Sequence, residues 1–356
     1  MPQLEELSIE VTNECPMMCI HCSSGSSPKR LPDEISVELQ LDLIEQARDM
    51  GATVLSLSGG EPLVYPHLME LVRKAERWGY DRILLYTTGH THEHRWVNQH
   101  PLVSRLLSVR NLTWIFSLHS ANPAVNDHIM NREGATNHIK DSVSWLVSQG
   151  ADVEIHMVPM KINFTSIAGL RQWCSSIGVS KMSLLRFVPQ TRGAANKDAL
   201  LMDVPDFSLM QAIMHIQTTM SASPTDLRLG CPIDFRHSLG LVSEKQKPCH
   251  AGDDLILVRP DGAAHPCAAW KSLPSDANVR DYSLESIFND STVFQAVRHF
   301  KYDRGWDRIE GCKDCKYVES CMGGCPAQRL HAYGKKLDAL FAAPGDPLCH
   351  MVRGNV

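Results

Sequence analysis

Two kinds of pattern alternate along the chain. LSIEVT (7–12), TVLSLSGG (53–60), RILLYTT (82–88), LTWIFSLHS (112–120), DVEIHMVP (152–159) and KMSLLRFVP (181–189) are short β-branched or apolar runs, each with the length and composition of a buried strand. Between them lie helix-like stretches, among them VELQLDLIEQARDM, PHLMELVRKAERWG, IKDSVSWLVSQG and TSIAGLRQWCSSIG, most closing at a glycine as helices do. Strands joined through helices run parallel with right-handed crossovers, and six such units fall short of the eight of a closed barrel. The pattern predicts an α/β fold, an open partial (β/α)6 TIM-like barrel, with its chemistry on the loops at the C-terminal ends of the strands. The stretch TRGAANKDALLMDVPD (191–206) reads as a linker. The expected division is a barrel over 1–200, a linker or helix over 201–230 and a cysteine-rich domain over 231–356.

Composition narrows the class. A chain of 356 residues, 43% hydrophobic, buries a sizeable core. Its beginning, MPQLEELSIEVTNEC, has neither the basic nor the apolar region of a secretion signal, and no apolar run reaches the ~18 residues of a membrane span. A cytoplasmic protein without a membrane partner is expected. The formal charge is -5 with lysines and arginines scattered, so no basic stripe suggests nucleic acid as a partner.

Twelve cysteines then change the picture. A reducing compartment makes metal binding or catalysis the better explanation than disulfides. Cys15, Cys19 and Cys22 form one group, Cys174 stands alone, and the remaining eight lie between Cys231 and Cys349. Two metal regions are implied. CPMMCIHC (15–22) follows the first strand, and three thiolates hold three irons of a four-iron cubane, leaving one iron open to a small molecule. A structural zinc site with a distant fourth ligand is the plainer alternative. At the end of the second strand, Gly59 and Gly60 allow close approach to the backbone, and the Glu61 carboxylate can accept hydrogen bonds from an ammonium group.

Cys15, Cys19 and Cys22 together with Gly59, Gly60 and Glu61 resemble the radical S-adenosylmethionine (radical SAM) enzymes. The resemblance implies that the open iron chelates S-adenosylmethionine, that Gly59, Gly60 and Glu61 contact its amino group, and that His21 sits beside the adenine. It also implies cleavage to a 5'-deoxyadenosyl radical that abstracts a substrate hydrogen atom, with flavodoxin or ferredoxin as external reductant. Ser117 and Arg186, at the fourth and sixth strands, fall where relatives contact the ribose and carboxylate. Many relatives have Asp-Gly after the fourth-strand Ser-Leu, whereas this chain has His119 and Ser120. His119 is a candidate catalytic group set against a solvated loop histidine. Cys174, inside a predicted helix, is a candidate hydrogen donor set against a small buried hydrophobe.

The C-terminal spacing resembles the SPASM domain: Cys249, then Gly262 and Cys267, then CxxCxxxxxCxxxC at Cys312, Cys315, Cys321 and Cys325, then Cys349, with Cys231 upstream. The resemblance implies auxiliary cluster I on Cys231, Cys249, Cys267 and Cys325 and cluster II on Cys312, Cys315, Cys321 and Cys349, hence three [4Fe-4S] clusters in all. A four-cysteine zinc knuckle over 312–325 is the alternative and strands four cysteines.

Fully ligated auxiliary clusters suit electron acceptance, and therefore oxidative modification or crosslinking of a peptide or protein. Ala268 stands where sulfatase-maturing relatives carry an aspartate, which argues against that reaction. Only fourteen residues precede Cys15, so leader-peptide recognition is expected from a separate binding protein. The alternatives are a small-molecule dehydrogenase or epimerase acting on a sugar or aminocyclitol, and a non-catalytic electron carrier, which leaves the Gly-Gly-Glu unexplained.

Overall fold

The computed structural model describes residues 2–93, 97–220, 222–230, 249–334, 336–342 and 344–349. The six expected strands form as β1 (Glu6–Glu10), β2 (Val54–Ser58), β3 (Arg82–Thr87), β4 (Leu112–Ser117), β5 (Asp152–Met157) and β6 (Lys181–Leu184), each parallel to its neighbour. Helices α1 (Val37–Asp49), α2 (Leu68–Arg77), α3 (Val103–Leu106), α4 (Pro123–Met130), α5 (Ala135–Ser148) and α6 (Ile167–Ile177) connect them. The ends follow local chemistry. The Ser36 hydroxyl accepts from the Leu39 N–H to start α1, and Gly178, at φ 85°, ends α6 in the left-handed conformation.

The sheet is larger than the sequence pattern predicts. β7 (Asp226–Leu229) pairs parallel with β6, β8 (Leu255–Val258) pairs parallel with β1, and β9 (Ala264–His265) runs antiparallel to β8, giving the order β7-β6-β5-β4-β3-β2-β1-β8-β9. Eight parallel strands therefore replace six. Both additions are four residues long, too short for a legible period, and β8 lies inside the cysteine-rich region. The expected linker is also structured: α7 (Thr191–Ala195) and α8 (Lys197–Leu200) occupy it, and α9 (Val204–His215) begins where Asp203 caps the Asp206 N–H. Beyond the sheet lie α10 (Leu284–Asp290), α11 (Thr292–Tyr302), α12 (Val318–Cys321), α13 (Pro326–Tyr333) and α14 (Ala339–Ala342), with Cys312, Cys315, Cys321 and Cys325 in the stretch from α11 to α13. Among the described residues no helix is long and apolar enough to cross a membrane.

The register of this sheet decides what the barrel contains. Leu7, Ile9, Leu55, Leu57, Ile83, Leu85, Trp114, Phe116 and Ile155 alternate onto the outer face and are buried in the core shared with the helices. Each such side chain contributes about 1.5–3 kcal/mol by burial. The intervening positions turn inward, and many are polar: Glu6, Ser8 and Glu10 on β1, Ser56 on β2, Tyr86 on β3, Glu154 and His156 on β5, Ser183 on β6. Packed barrels fill this space with branched apolar residues. Here it holds a cavity of about 820 Å³, lined by Glu6, Arg82, Tyr86, Glu154, His156 and Arg228 among others.

Candidate active site

The loop after β1 carries the first three thiols. Its backbone is tied at both ends: the Cys15 N–H donates to the Ser27 carbonyl (2.8 Å) and the Ile20 N–H to the Ile129 carbonyl (3.0 Å). Burial pushes the Cys15 thiol far up and raises Cys19 to about 12, and the neighbouring sulfurs add to both shifts. Thiols gathered this closely on one loop disfavour one another's anionic form, and a cationic centre relieves that repulsion. An all-sulfur donor set of this kind fits an iron–sulfur cluster.

The glycines at the end of β2 pack directly against this loop. A Cβ on Gly59, whose φ is +126°, would lie 2.5 Å from the Thr12 carbonyl oxygen, and one on Gly60 would lie 2.0 Å from that of Glu14. The Gly60 N–H donates to the Thr12 carbonyl (2.7 Å) and the Glu61 N–H to the Glu14 carbonyl (2.8 Å). Only glycine fits both positions. The Glu61 side chain is buried and turned towards β3, where its carboxylate accepts from the Thr87 hydroxyl (2.5 Å), the Thr88 hydroxyl and the Thr88 N–H (both 2.8 Å). Those donors hold the loop shape. Burial nevertheless dominates and raises the carboxyl above its ordinary value.

His21 and His119 meet edge to face, with ring centroids 4.3 Å apart. His119 is 1% exposed, so it is a buried histidine and not the solvated loop residue of the plainer expectation. The Val158 N–H donates to its Nδ1 (3.2 Å), which places the hydrogen of the neutral ring on Nε2, and Nε2 has no hydrogen-bond partner among the described residues. Burial holds both rings neutral: His119 is shifted well below its usual range, and His21, with the Arg192 guanidinium nearby, to about 4. Ser117 ends β4 opposite His156.

Arg186 follows β6. Its Nη2 lies 2.5 Å from Asp346 Oδ1 and its Nε donates to Gln328 Oε1 (3.2 Å), so it reaches into the C-terminal region. Cys174 is fully buried in α6, with its thiol raised to about 12 by burial. It is part of the core that α6 packs on the sheet.

The later cysteines separate into two groups. Burial raises Cys267, and the nearby Cys249 and Cys325 raise it further. Burial with Cys349 and Cys315 raises Cys312 to about 11, and Cys321 is raised by burial, Asp346, Cys349 and Cys312. Cys249, Cys267 and Cys325 thus lie near one another, as do Cys312, Cys315, Cys321 and Cys349, and Cys231 lies outside the described residues. The buried Lys301 ammonium sits beside the first group, 2.5 Å from Asp253 and donating to the Ala251 carbonyl (2.7 Å). Asp346 serves both groups, since it accepts from the Cys325 N–H (2.9 Å) and from the Leu348 N–H (3.0 Å) just before Cys349.

Sequence reasoning missed the brace around the first loop. Arg192 donates to the carbonyls of Cys19 (2.7 Å) and Ser26 (2.9 Å), the Thr191 hydroxyl to that of Cys22 (2.7 Å) and Asn196 Nδ2 to that of Ile20 (3.0 Å). Polar residues in a short, aperiodic stretch carry no signal of such a role. It also missed the buried pair of Lys271 and Glu10, 2.7 Å apart, whose members are 261 positions apart in the chain.

Comparison with known proteins agrees with this geometry. The family model described as Radical SAM superfamily matches residues 9–174, and that described as an iron–sulfur cluster-binding domain matches residues 249–316. The chain is similar to the PqqA peptide cyclases of Streptomyces rochei, 27% identical over 96% of this chain and 88% of that one, and of Gluconobacter oxydans (strain 621H), 25% identical over 97% and 90%. In fold it resembles Streptococcus suis SuiB bound to its precursor peptide SuiA, with a TM-score of 0.75 at 17% identity over 94% of this chain and 76% of that one. It also resembles anSMEcpe with bound AdoMet, with a TM-score of 0.71 at 14% identity over 99% and 95%.

Proposed function

The chain belongs to the radical SAM superfamily and carries an SPASM iron–sulfur domain, and from that premise we propose that it oxidatively modifies or crosslinks a peptide. Similarity to peptide cyclases over nearly the whole chain is the observation that carries the peptide reading.

In this proposal Cys15, Cys19 and Cys22 hold the cluster that binds S-adenosylmethionine. Cys249, Cys267 and Cys325, with Cys231, hold auxiliary cluster I, and Cys312, Cys315, Cys321 and Cys349 hold cluster II, for three [4Fe-4S] clusters. Bound there, the cofactors supply a 5'-deoxyadenosyl radical that removes a substrate hydrogen atom and an acceptor for the electron left behind. The residues do the rest. Gly59 and Gly60 present backbone to the amino group, with Glu61 holding that turn through Thr87 and Thr88. His21 and His119 form the aromatic wall for the adenine, with the His119 Nε2 hydrogen as a donor to a ring nitrogen. Ser117 stands on the ribose side. Glu154 anchors the floor of the lumen through Lys181 (3.3 Å), His156 (3.5 Å) and Arg228 (3.6 Å), which outweigh burial and bring its carboxyl to about 2. It therefore stays charged and its partners stay fixed. An external flavodoxin or ferredoxin delivers the electron that starts each turnover, and a separate leader-binding protein presents the peptide.

The test is anaerobic incubation of reconstituted protein with dithionite, S-adenosylmethionine and candidate precursor peptides. The expected result is 5'-deoxyadenosine together with a peptide that has lost a pair of hydrogen atoms. No 5'-deoxyadenosine above a Cys19→Ala control sinks the radical chemistry. Deoxyadenosine without any peptide change, alongside oxidation of a sugar or aminocyclitol, sinks the peptide reading.

A further inference from the structure

Between the first cysteine loop and the loop after Cys267 runs one short segment bonded to both. Gln190, 2% exposed, donates from Nε2 to the Ala268 carbonyl (2.9 Å) and accepts at Oε1 from the Ser272 N–H (3.2 Å). The next residues turn to the other side, where Thr191, Arg192 and Asn196 donate to the carbonyls of Cys22, Cys19 and Ile20, and the Gly193 N–H adds a second bond to Cys22 (3.3 Å). The approach is close. A Cβ on Gly193 would lie 2.9 Å from the His21 carbonyl oxygen, and one on Gly25 would lie 3.3 Å from the Thr191 Cβ.

Thr191 marks the junction. Its φ is 42°, a left-handed conformation that a β-branched residue adopts only when its surroundings enforce it. The strain sits at the one residue that must reverse the chain between the Gln190 side chain, aimed at the Cys267 loop, and the hydroxyl aimed at Cys22. A brace serving the first loop alone needs no such reversal, because Arg192 and Asn196 already supply it.

We propose that Gln190–Asn196 is a positioning clip that sets the register between the S-adenosylmethionine-binding cluster and auxiliary cluster I. This rests on the ligand assignment made above for Cys15, Cys19, Cys22 and Cys267. The clip makes a short bonded path between the two ligand loops, namely Cys22 carbonyl, Thr191, Gln190 side chain, Ala268 carbonyl, Cys267, beside the bond from Lys271 to the Ser24 hydroxyl (2.8 Å). The site where a substrate radical forms and the site that accepts its electron are thereby held as one unit. Loosening the clip at Gln190 leaves each loop's own ligands in place and leaves the two loops tied through Lys271, Ser24 and Glu10, so that one can shift slightly against the other.

The test uses Gln190→Leu, which removes both bonds to the Cys267 loop at similar volume, in the fully reconstituted holoenzyme. Iron content and peptide-independent 5'-deoxyadenosine formation are expected to match wild type. The ratio of deoxyadenosine to modified peptide is expected to rise by up to about a hundredfold, the cost a misplacement of about 1 Å at a reacting centre can reach. The spin–spin interaction between the first cluster and auxiliary cluster I, read by electron paramagnetic resonance of the reduced protein, is expected to weaken. Parallel loss of iron, cleavage and product shows a merely stabilising residue and overturns the proposal, as does an unchanged ratio with unchanged spectra. Should Gln190→Leu fail to load, Gln190→Glu keeps the acceptor for the Ser272 N–H, loses the donor to Ala268, and is read in the same way. If wild type itself modifies no peptide, the functional reading fails while the spectroscopic arm still decides the clip.

Discussion

Arg186, at the mouth end of β6, and Asp346, near the C-terminus, form a buried ion pair with Nη2 and Oδ1 2.5 Å apart. The pair joins the barrel to both later thiol groups, because the same carboxylate accepts from the Cys325 and Leu348 N–H groups. Burial opposes the Arg186 charge, and Asp346 together with the nearby Cys325 more than restores it.

Asp346→Asn is expected to act on the auxiliary clusters first. It leaves a buried guanidinium without its counter-charge, which costs about 3–5 kcal/mol, and turns an amide NH2 or a weaker acceptor towards Cys325. Thermal unfolding should shift down, and iron should fall from about twelve atoms per chain towards four, the complement of a single cubane. S-adenosylmethionine cleavage at the first cluster should survive. Full iron with an unchanged melting temperature would show that the pair is dispensable.

Glu61→Gln is expected to destabilise the protein in the absence of S-adenosylmethionine. The carboxylate accepts from three donors of Thr87 and Thr88, whereas an amide offers one oxygen and puts its own N–H groups against the rest. Leaving a buried donor unsatisfied costs about 1–3 kcal/mol. Chemical denaturation of ligand-free protein measures this directly. A variant as stable as wild type, but weak in cofactor binding, would return Glu61 to direct contact with the amino group.

The sequence spoke clearly where chemistry is local and weakly where it is tertiary. Strands β1 to β6 and the cysteine spacings were legible, since apolar runs and ligand intervals are written in consecutive residues. The inward polar set was present in LSIEVT and DVEIHMVP, but the apolar partners at alternate positions masked it as a buried strand. The Arg186–Asp346 pair was not legible because its members lie 160 positions apart, and the burial of His119 was not, because it depends on α4 and the loop after β5. The segment 191–206 looked like a linker for the same reason, as its partners are carbonyls, which have no side-chain signature.

Gly60→Ala is expected to remove the first cluster selectively. The added methyl would sit 2.0 Å from the Glu14 carbonyl oxygen, next to Cys15, so the loop must move. Iron should fall by about four atoms per chain, with 5'-deoxyadenosine formation abolished and the auxiliary clusters retained. Mössbauer spectra of the enriched protein count what remains. Unaltered loading would mean that the loop yields without losing its ligand geometry.

Lys271 and Glu10 offer the sharpest test of how the barrel and the cysteine-rich region are joined. Lys271 follows Cys267 by four residues, and its ammonium donates to Glu10 Oε1 (2.7 Å) and to the Ser24 hydroxyl (2.8 Å), with both charged side chains almost fully buried. Burial works against the Glu10 carboxylate, but Lys271 and Ser24 outweigh it and hold its pKa below the ordinary 4.5. A depressed carboxyl contributes stability that is complete above that value and is lost only as pH falls through the folded pKa. Lys271→Met or Glu10→Leu alone should therefore cost about 3–5 kcal/mol, and the double variant much less, because an apolar pair leaves no buried charge behind. The coupling energy from this double-mutant cycle should be larger at about pH 8 than at about pH 5, because burial raises the pKa of a Glu10 carboxyl left without Lys271 and protonation then relieves part of the single-variant cost. Additive single losses would show that the two groups do not act as the buried ion pair seen here.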